Sequence, residues 1–161
     1  MTSDPLLDLL RSGGRRSHAD LAAQLGLEEA EVTRKIEAWE KDGTILGYQA
    51  VVDSQEAGEE GVSAFIEVRL APERGGGFDH LAQRISRFEQ VTSCYLSSGG
   101  YDLMCVVEGK DLMEVASFVS EKLSTVKGVL STATHFRLKT YKENGFLFGE
   151  SESSERLPVS P

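Results

Sequence analysis

LGLEEAEVTRKIEAWEKDGTILGY, residues 25–48, is the stretch on which the fold turns. Val32, Ile36 and Trp39 stand at i, i+4 and i+7 and therefore share one helical face, with Trp39 read as core. Gly43 follows as a C-terminal stop, so the spacing predicts a helix from near Glu28 to about Lys41. Upstream, SHADLAAQLGL (17–27) opens on Ser17 as N-cap, with Asp20 three residues on as a variant of the capping box. Leu21, Ala22 and Leu25 form its inner face and Gly26 ends it. SDPLLDLLRSGG (3–14) supplies a third helix, with Ser3 or Asp4 as cap, Pro5 in the first turn and Leu6, Leu9 and Leu10 as its stripe. Downstream, TILGYQAVVD (44–53) turns extended, with Gly47 as the expected turn of a short hairpin. Three helices and a hairpin in this order predict a winged helix-turn-helix over residues 1–46, followed by a connecting strand and linker over 47–61.

Charge complicates this reading. Between residues 28 and 42 the chain carries six acids, Glu28, Glu29, Glu31, Glu37, Glu40 and Asp42, against Arg34, Lys35 and Lys41. The whole chain of 161 residues has 17 Lys and Arg, 26 Asp and Glu and a formal net charge of -9. That balance argues against general electrostatic binding to nucleic acid or anionic lipid. A local basic patch survives the argument, because salt confines the field to about 10 Å. Carboxylates in a first helical turn also stabilise the helix through its dipole, and they need not face a DNA groove.

From Val62 the pattern changes. VSAFIEVRL (62–70) alternates, with Val62, Ala64, Ile66, Val68 and Leu70 on one face of a strand. Pro72 and Gly75–Gly77 read as a flexible connection; this run of glycines lacks the strand-to-helix context of a nucleotide loop. A helix is expected near 78–88, with Phe78, Leu81, Ile85 and Phe88 on its stripe. VTSCYLS and DLMCVVEG are strands around the loop Ser98–Tyr101. With that loop, opposed positions pair Leu96 with Leu103, Cys94 with Cys105 and Thr92 with Val107. The two cysteines, placed side by side, read as small buried hydrophobes, with a redox pair as the alternative. DLMEVASFVSEKL (111–123) is a second helix capped by Asp111, with Leu112, Val115, Val119 and Leu123 inward, and VLSTATHFRLKTY (129–141) is a last strand. The order β-α-β-β-α-β predicts an α+β chain whose second domain, 62–144, is a ferredoxin-like sheet with two helices on one face. The polar residues 145–161 read as a disordered tail.

In that combination the residues resemble the leucine-responsive/asparagine-regulator (Lrp/AsnC, feast/famine) family over about Leu6 to Lys142. The most specific parts are LAAQLGL, the V.RKI…EKDGTI.GY pattern, the SGGYD loop and GVLSTATHF. The resemblance implies a transcription regulator that binds double-stranded DNA as a homodimer or higher oligomer. Its C-terminal domain would bind an effector, an amino acid or related small molecule, where dimers meet. The family has small polar residues opening the recognition helix and basic ones later; here Glu28, Glu29, Ala30 and Glu31 open it, and Glu37 and Ala38 stand at positions where bases are common. It also more often has an acid where Gly100 stands.

On this reading Thr33, Arg34 and Glu37 lie off the core face and are the candidates for base or phosphate contact, since Arg reads guanine and Glu accepts from cytosine. Arg15, Arg16, Ser17 and Lys35 are the candidates for phosphate contact. For the effector, Ser98, Gly99, Gly100, Tyr101 and Asp102 form a Gly-rich bend whose N–H groups can receive a carboxylate, while Asp102 can receive an ammonium. A plain hairpin turn, or a dimer–dimer contact without ligand, is the alternative for this loop. Thr132 and Thr134 project to one side of the last strand and could add hydroxyls. No metal or other cofactor is expected, because His18, His80 and His135 are scattered without ligand spacing. No nucleophile–base pair or paired carboxylates suggest catalysis. An enzyme resembling the sirohaem decarboxylases of haem synthesis, and a co-regulator whose acidic head no longer binds DNA, remain as alternatives. The N-terminus shows no signal sequence and no run long enough to span a membrane, so a cytoplasmic protein is expected.

Overall fold

The computed structural model describes residues 4–13, 15–72 and 77–149, and the chain divides after Val52 into two compact units. Residue 14, most of the expected flexible connection at 73–76 and the tail from 150 onward lie outside the described residues.

The first unit has three helices, α1 (Pro5–Ser12), α2 (His18–Leu25) and α3 (Glu29–Asp42). Most of their ends have a local reason. The Asp4 carboxylate accepts from the Leu6 N–H ahead of Pro5, whose missing N–H costs nothing in a first turn. At α2, Ser17 and Asp20 complete a reciprocal capping box, and Gly26 closes the helix in the left-handed region at φ 67°. Gly43 does the same for α3 at φ 80°. Glu28 caps α3 without a side-chain hydrogen bond, so the stability of α3 comes from its packed face rather than its cap. That face is Val32 and Ile36, buried with Leu6, Leu21 and Ala22, and with Trp39 half-buried against them.

The hairpin expected around Gly47 does not form. Residues 44–53 make no strand, Leu46 is 94% exposed, and the Ile45 N–H instead donates to the Trp39 carbonyl, folding the chain back over the end of α3. Gly47 does not take the positive φ that a two-residue hairpin turn requires, so the two segments are not brought together.

In the second unit, β1 (Val62–Leu70), β2 (Val91–Leu96), β3 (Leu103–Gly109) and β4 (Val129–Phe136) form one antiparallel sheet in the order β2-β3-β1-β4. Its helices are α4 (Asp79–Ile85) and α5 (Leu112–Ser117), the latter continued by a π-helical stretch, Phe118–Leu123. Ala64, Ile66, Val68, Leu103, Cys105 and Val107 from the sheet form one core with Leu81, Ile85, Val115, Phe118 and Leu123 from the helices. Each Val, Leu, Ile or Phe among them contributes roughly 1.5–3 kcal/mol when taken fully out of water.

Three expectations inside this unit are corrected. Leu112 is 57% exposed, not inward. The wider π turn re-phases the helix, so that Val115, Phe118 and Leu123 reach the core and Phe118 meets Phe88 edge-on at 5.4 Å. On the hairpin, Leu96 pairs with Leu103 and Cys94 with Cys105 as expected, but a bulge puts Val91, not Thr92, opposite Val107. The extra residue lets Val91 pack on the core while Thr92 stays exposed, its hydroxyl donating to the Val106 carbonyl. Where the tail was expected to begin, Asn144 (φ 49°) and Gly145 (φ 91°) instead turn a short ribbon, β5 (Lys142–Glu143) paired with β6 (Phe146–Leu147). Two left-handed residues in succession suit a hairpin turn of this length.

Candidate nucleic-acid and effector sites

In the three-helix unit the structure sorts the expected contact residues. Ala30, Arg34, Glu37 and Lys41, spaced four, three and four apart, lie exposed along one stripe of α3, away from the Val32/Ile36 face. The Arg34 Nε donates to the Ala30 carbonyl, and its terminal nitrogens have no partner among the described residues. Glu37 is exposed beside it on the next turn.

Thr33 is held differently. Its hydroxyl donates to the Glu29 carbonyl at 3.0 Å and lies 2.9 Å from the His18 Nδ1. A hydroxyl has one proton, so the assignment that satisfies both bonds makes Thr33 the acceptor of an Nδ1–H from His18. His18, considered in the sequence only as a metal ligand, thus joins the start of α2 to α3. Fifteen residues separate the two, and no periodicity connects them.

Two expected phosphate contacts are already engaged. The Lys35 ammonium lies 2.7 Å from the Asp4 carboxylate and 5.5 Å from the centre of the Trp39 ring, so it ties α3 to the cap of α1. Lys35 bonding holds the Asp4 carboxyl below its ordinary value. The Ser17 hydroxyl donates to Asp20 at 2.6 Å and accepts the Asp20 N–H, so the capping box consumes it. Arg16 donates to the Gln24 side chain at 3.2 Å, and Arg15 is exposed at the entry to α2. Of the bases expected to contact DNA, Arg15 and Arg34 are exposed and Arg16 is half-buried.

In the second unit, the loop Ser97–Asp102 closes the β2–β3 hairpin. Gly99 takes φ 130°, a conformation an L side chain rarely adopts. The N–H groups of Gly99 and Gly100 make no hydrogen bond among the described residues, and both glycines are exposed. Ser98 is exposed and Tyr101 half-buried. Asp102 has a structural task the sequence did not reveal. Its Oδ2 accepts the Leu70 N–H at 2.7 Å, its N–H donates to the Val68 carbonyl, and its carbonyl accepts from Ser97. The carboxylate expected to meet an ammonium therefore fastens the loop to the end of β1.

A cation that sequence reasoning missed stands next to it. The Arg69 Nε donates to the Gly100 carbonyl at 2.8 Å, placing an exposed guanidinium against the bend. Alternation marks Arg69 only as an outward residue of β1; the register that sets it beside Gly100 exists only in the folded sheet.

Thr132 and Thr134 do not converge on this loop. They pair with the buried Val68 and Ile66 and therefore point to the helix-covered side, where the Thr132 hydroxyl lies 3.4 Å from that of Ser124. Two strand spacings, roughly 10 Å, separate β4 from β3 and its loop. Among the described residues no group of three or more His, Cys, Asp or Glu is placed to hold a metal ion, and no helix is long and apolar enough to cross a membrane.

A family model, the Lrp/AsnC ligand binding domain, matches residues 63–147. Over 157 residues the chain is 43% identical to YugG of Bacillus subtilis, described as an uncharacterized HTH-type transcriptional regulator, covering 97% of this chain and 95% of that protein. It is 32% identical to the Bkd operon transcriptional regulator of Pseudomonas aeruginosa, covering 84% and 88% of the two chains. Among solved structures, AsnC of E. coli superposes with a TM-score of 0.64 at 22% identity, covering 89% of this chain and 97% of that one. A Neisseria meningitidis transcriptional regulator in complex with L-Met does so with a TM-score of 0.69 at 24% identity, covering 88% and 94%.

Proposed function

Since the chain belongs to the Lrp/AsnC family, whose named relatives are transcriptional regulators rather than enzymes, we propose that it regulates transcription by binding double-stranded DNA through α2 and α3 in response to a small metabolite held by its second unit. The exposed stripe of α3 carries the reading: Arg34 projects with its terminal nitrogens unpartnered among the described residues, Glu37 flanks it, and the core face lies opposite. Arg34 reads base edges, with Arg15 and Arg16 on phosphates; Thr33, held by His18, adds its hydroxyl only where a water bridges the gap. Two phosphate contacts per head give weak single-head binding with a salt slope of about −1.8 per head, from roughly 0.9 per phosphate neutralised. A homodimer or higher oligomer then supplies the remaining affinity through avidity.

For the effector, free N–H groups of Gly99 and Gly100 beside the Arg69 guanidinium favour a carboxylate, as an amino acid would present. The solved relative in complex with L-Met makes an amino acid the first class to test. Fluorescence anisotropy of the full chain on DNA from upstream of its own gene, titrated with salt and with each amino acid, tests both halves. Saturable binding that weakens with salt and shifts with one amino acid supports the proposal. No binding at low salt and micromolar protein favours the co-regulator without DNA affinity. A tetrapyrrole absorbance in the purified protein would turn the reading toward a haem-synthesis enzyme.

A further inference from the structure

Cys94 and Cys105 are free thiols placed directly opposite each other on β2 and β3, with their sulfurs 3.8 Å apart. The main-chain pattern fixes which kind of pair this is. The Glu108 N–H donates to the Gln90 carbonyl, so even-numbered residues of β3 turn their main chain toward β2. Cys105 turns its own toward β1. Cys94 and Cys105 therefore form a non-hydrogen-bonded pair, the class with the closest side chains, at a Cα separation of about 4.5 Å. That separation lies inside the range of disulfides, and closing the sulfurs to about 2.05 Å requires side-chain rotation rather than strand movement.

The two thiols differ in access and acidity. Cys105 is 0% exposed within the core, whereas Cys94 is half-buried on β2, the edge strand of the sheet. The Cys105 S–H donates to the Cys94 sulfur, which lowers Cys94 to about 7, while the same bond and burial push Cys105 up. A reachable sulfur with thiolate character and a protonated partner in van der Waals reach are what stepwise thiol oxidation requires.

We propose that this pair is an oxidation site, at which Cys94 reacts with a small hydroperoxide and Cys105 resolves the product into an intrachain cross-strand disulfide. The Cys94 thiolate attacks the terminal peroxide oxygen; the O–O bond breaks, a Cys94 sulfenic acid forms, and the departing oxygen takes up a proton. The Cys105 sulfur then attacks the Cys94 sulfur, the S–S bond forms, and the sulfenic oxygen leaves as water with the Cys105 proton. The two thiols lose two electrons and the hydroperoxide is reduced to water, or to water and an alcohol. The new bond crosses the hairpin at the third residue pair below the loop Ser97–Asp102, cross-linking the strands that carry it.

The full-length reduced protein is treated with stoichiometric hydrogen peroxide, unfolded, alkylated and weighed intact. The expected result is loss of the mass of two hydrogens, no alkylation at either cysteine, no linked chains on a non-reducing gel, and reversal by dithiothreitol. Cys105→Ala should leave a Cys94 sulfenic acid that dimedone traps, and Cys94→Ser should leave Cys105 reduced. Retention of both thiols in the wild-type chain, a bond between chains, or equal peroxide reactivity of the two variants would overturn the proposal. The wild-type measurement stands even where a variant folds poorly.

Discussion

Replacing Asp102 separates a structural carboxylate from a ligand-binding one. In the structure its Oδ2 accepts the Leu70 N–H at 2.7 Å in a half-buried setting. A hydrogen bond to a charged group contributes about 1.5–3 kcal/mol, and Asp102→Ala also leaves the Leu70 N–H without its acceptor. For a domain near 100 residues, 1 kcal/mol corresponds to about 4–8 °C, so Asp102→Ala should lower the melting temperature of the second unit by roughly 6–24 °C. Asp102→Asn keeps an oxygen for the N–H and loses only the charge assistance, so it should cost about half as much. Differential scanning calorimetry of the full chain without effector, with circular dichroism as a second probe, reads this directly. A shift below about 2 °C for Asp102→Ala, well under that scaling, together with loss of amino-acid binding, would refute the reasoning. It would return Asp102 to the ammonium-receiving role suggested by its place in the loop.

Three further outcomes follow from the same geometry. Arg34→Ala should weaken operator binding by about 1–3 kcal/mol and relax base preference while leaving the circular dichroism spectrum unchanged; unaltered affinity in anisotropy titrations would remove α3 as the reader. Gly128→Ala should destabilise the second unit by roughly 2–5 kcal/mol in urea unfolding, because the residue sits at φ 99° and a Cβ there would lie 2.6 Å from the buried Leu81 side chain. For Asp4, the folded carboxyl is held below its ordinary value of 3.8 by Lys35, so its contribution is full above that value and is lost as pH falls through the lower folded value. Lys35→Met should therefore shrink the acid-induced loss of stability below about pH 4 while costing about 0.2–1 kcal/mol at neutral pH, measured by urea titrations across pH.

The chain's sequence by itself determined the three helices of the first unit and the four strands and two helices of the second. Ser17 with Asp20, Gly26 and Gly43 set helix boundaries through bonds and backbone angles that span only a few residues, and those signals survive in any context. The alternation of residues 62–70 and the opposition of Cys94 with Cys105 were legible for the same reason, since strand period and loop length fix them locally. Tertiary structure decided what each polar group is used for. Lys35 found Asp4 across 31 residues, Thr33 found His18, Asp102 found Leu70, and Arg69 found Gly100. Each pairing depends on how helices or strands distant in sequence are set side by side, and a side chain's chemistry alone does not choose its partner. The hairpin around Gly47 failed on the same principle from the other direction. Its residues suit strands, but a strand needs a neighbour, and among the described residues none pairs with residues 44–53.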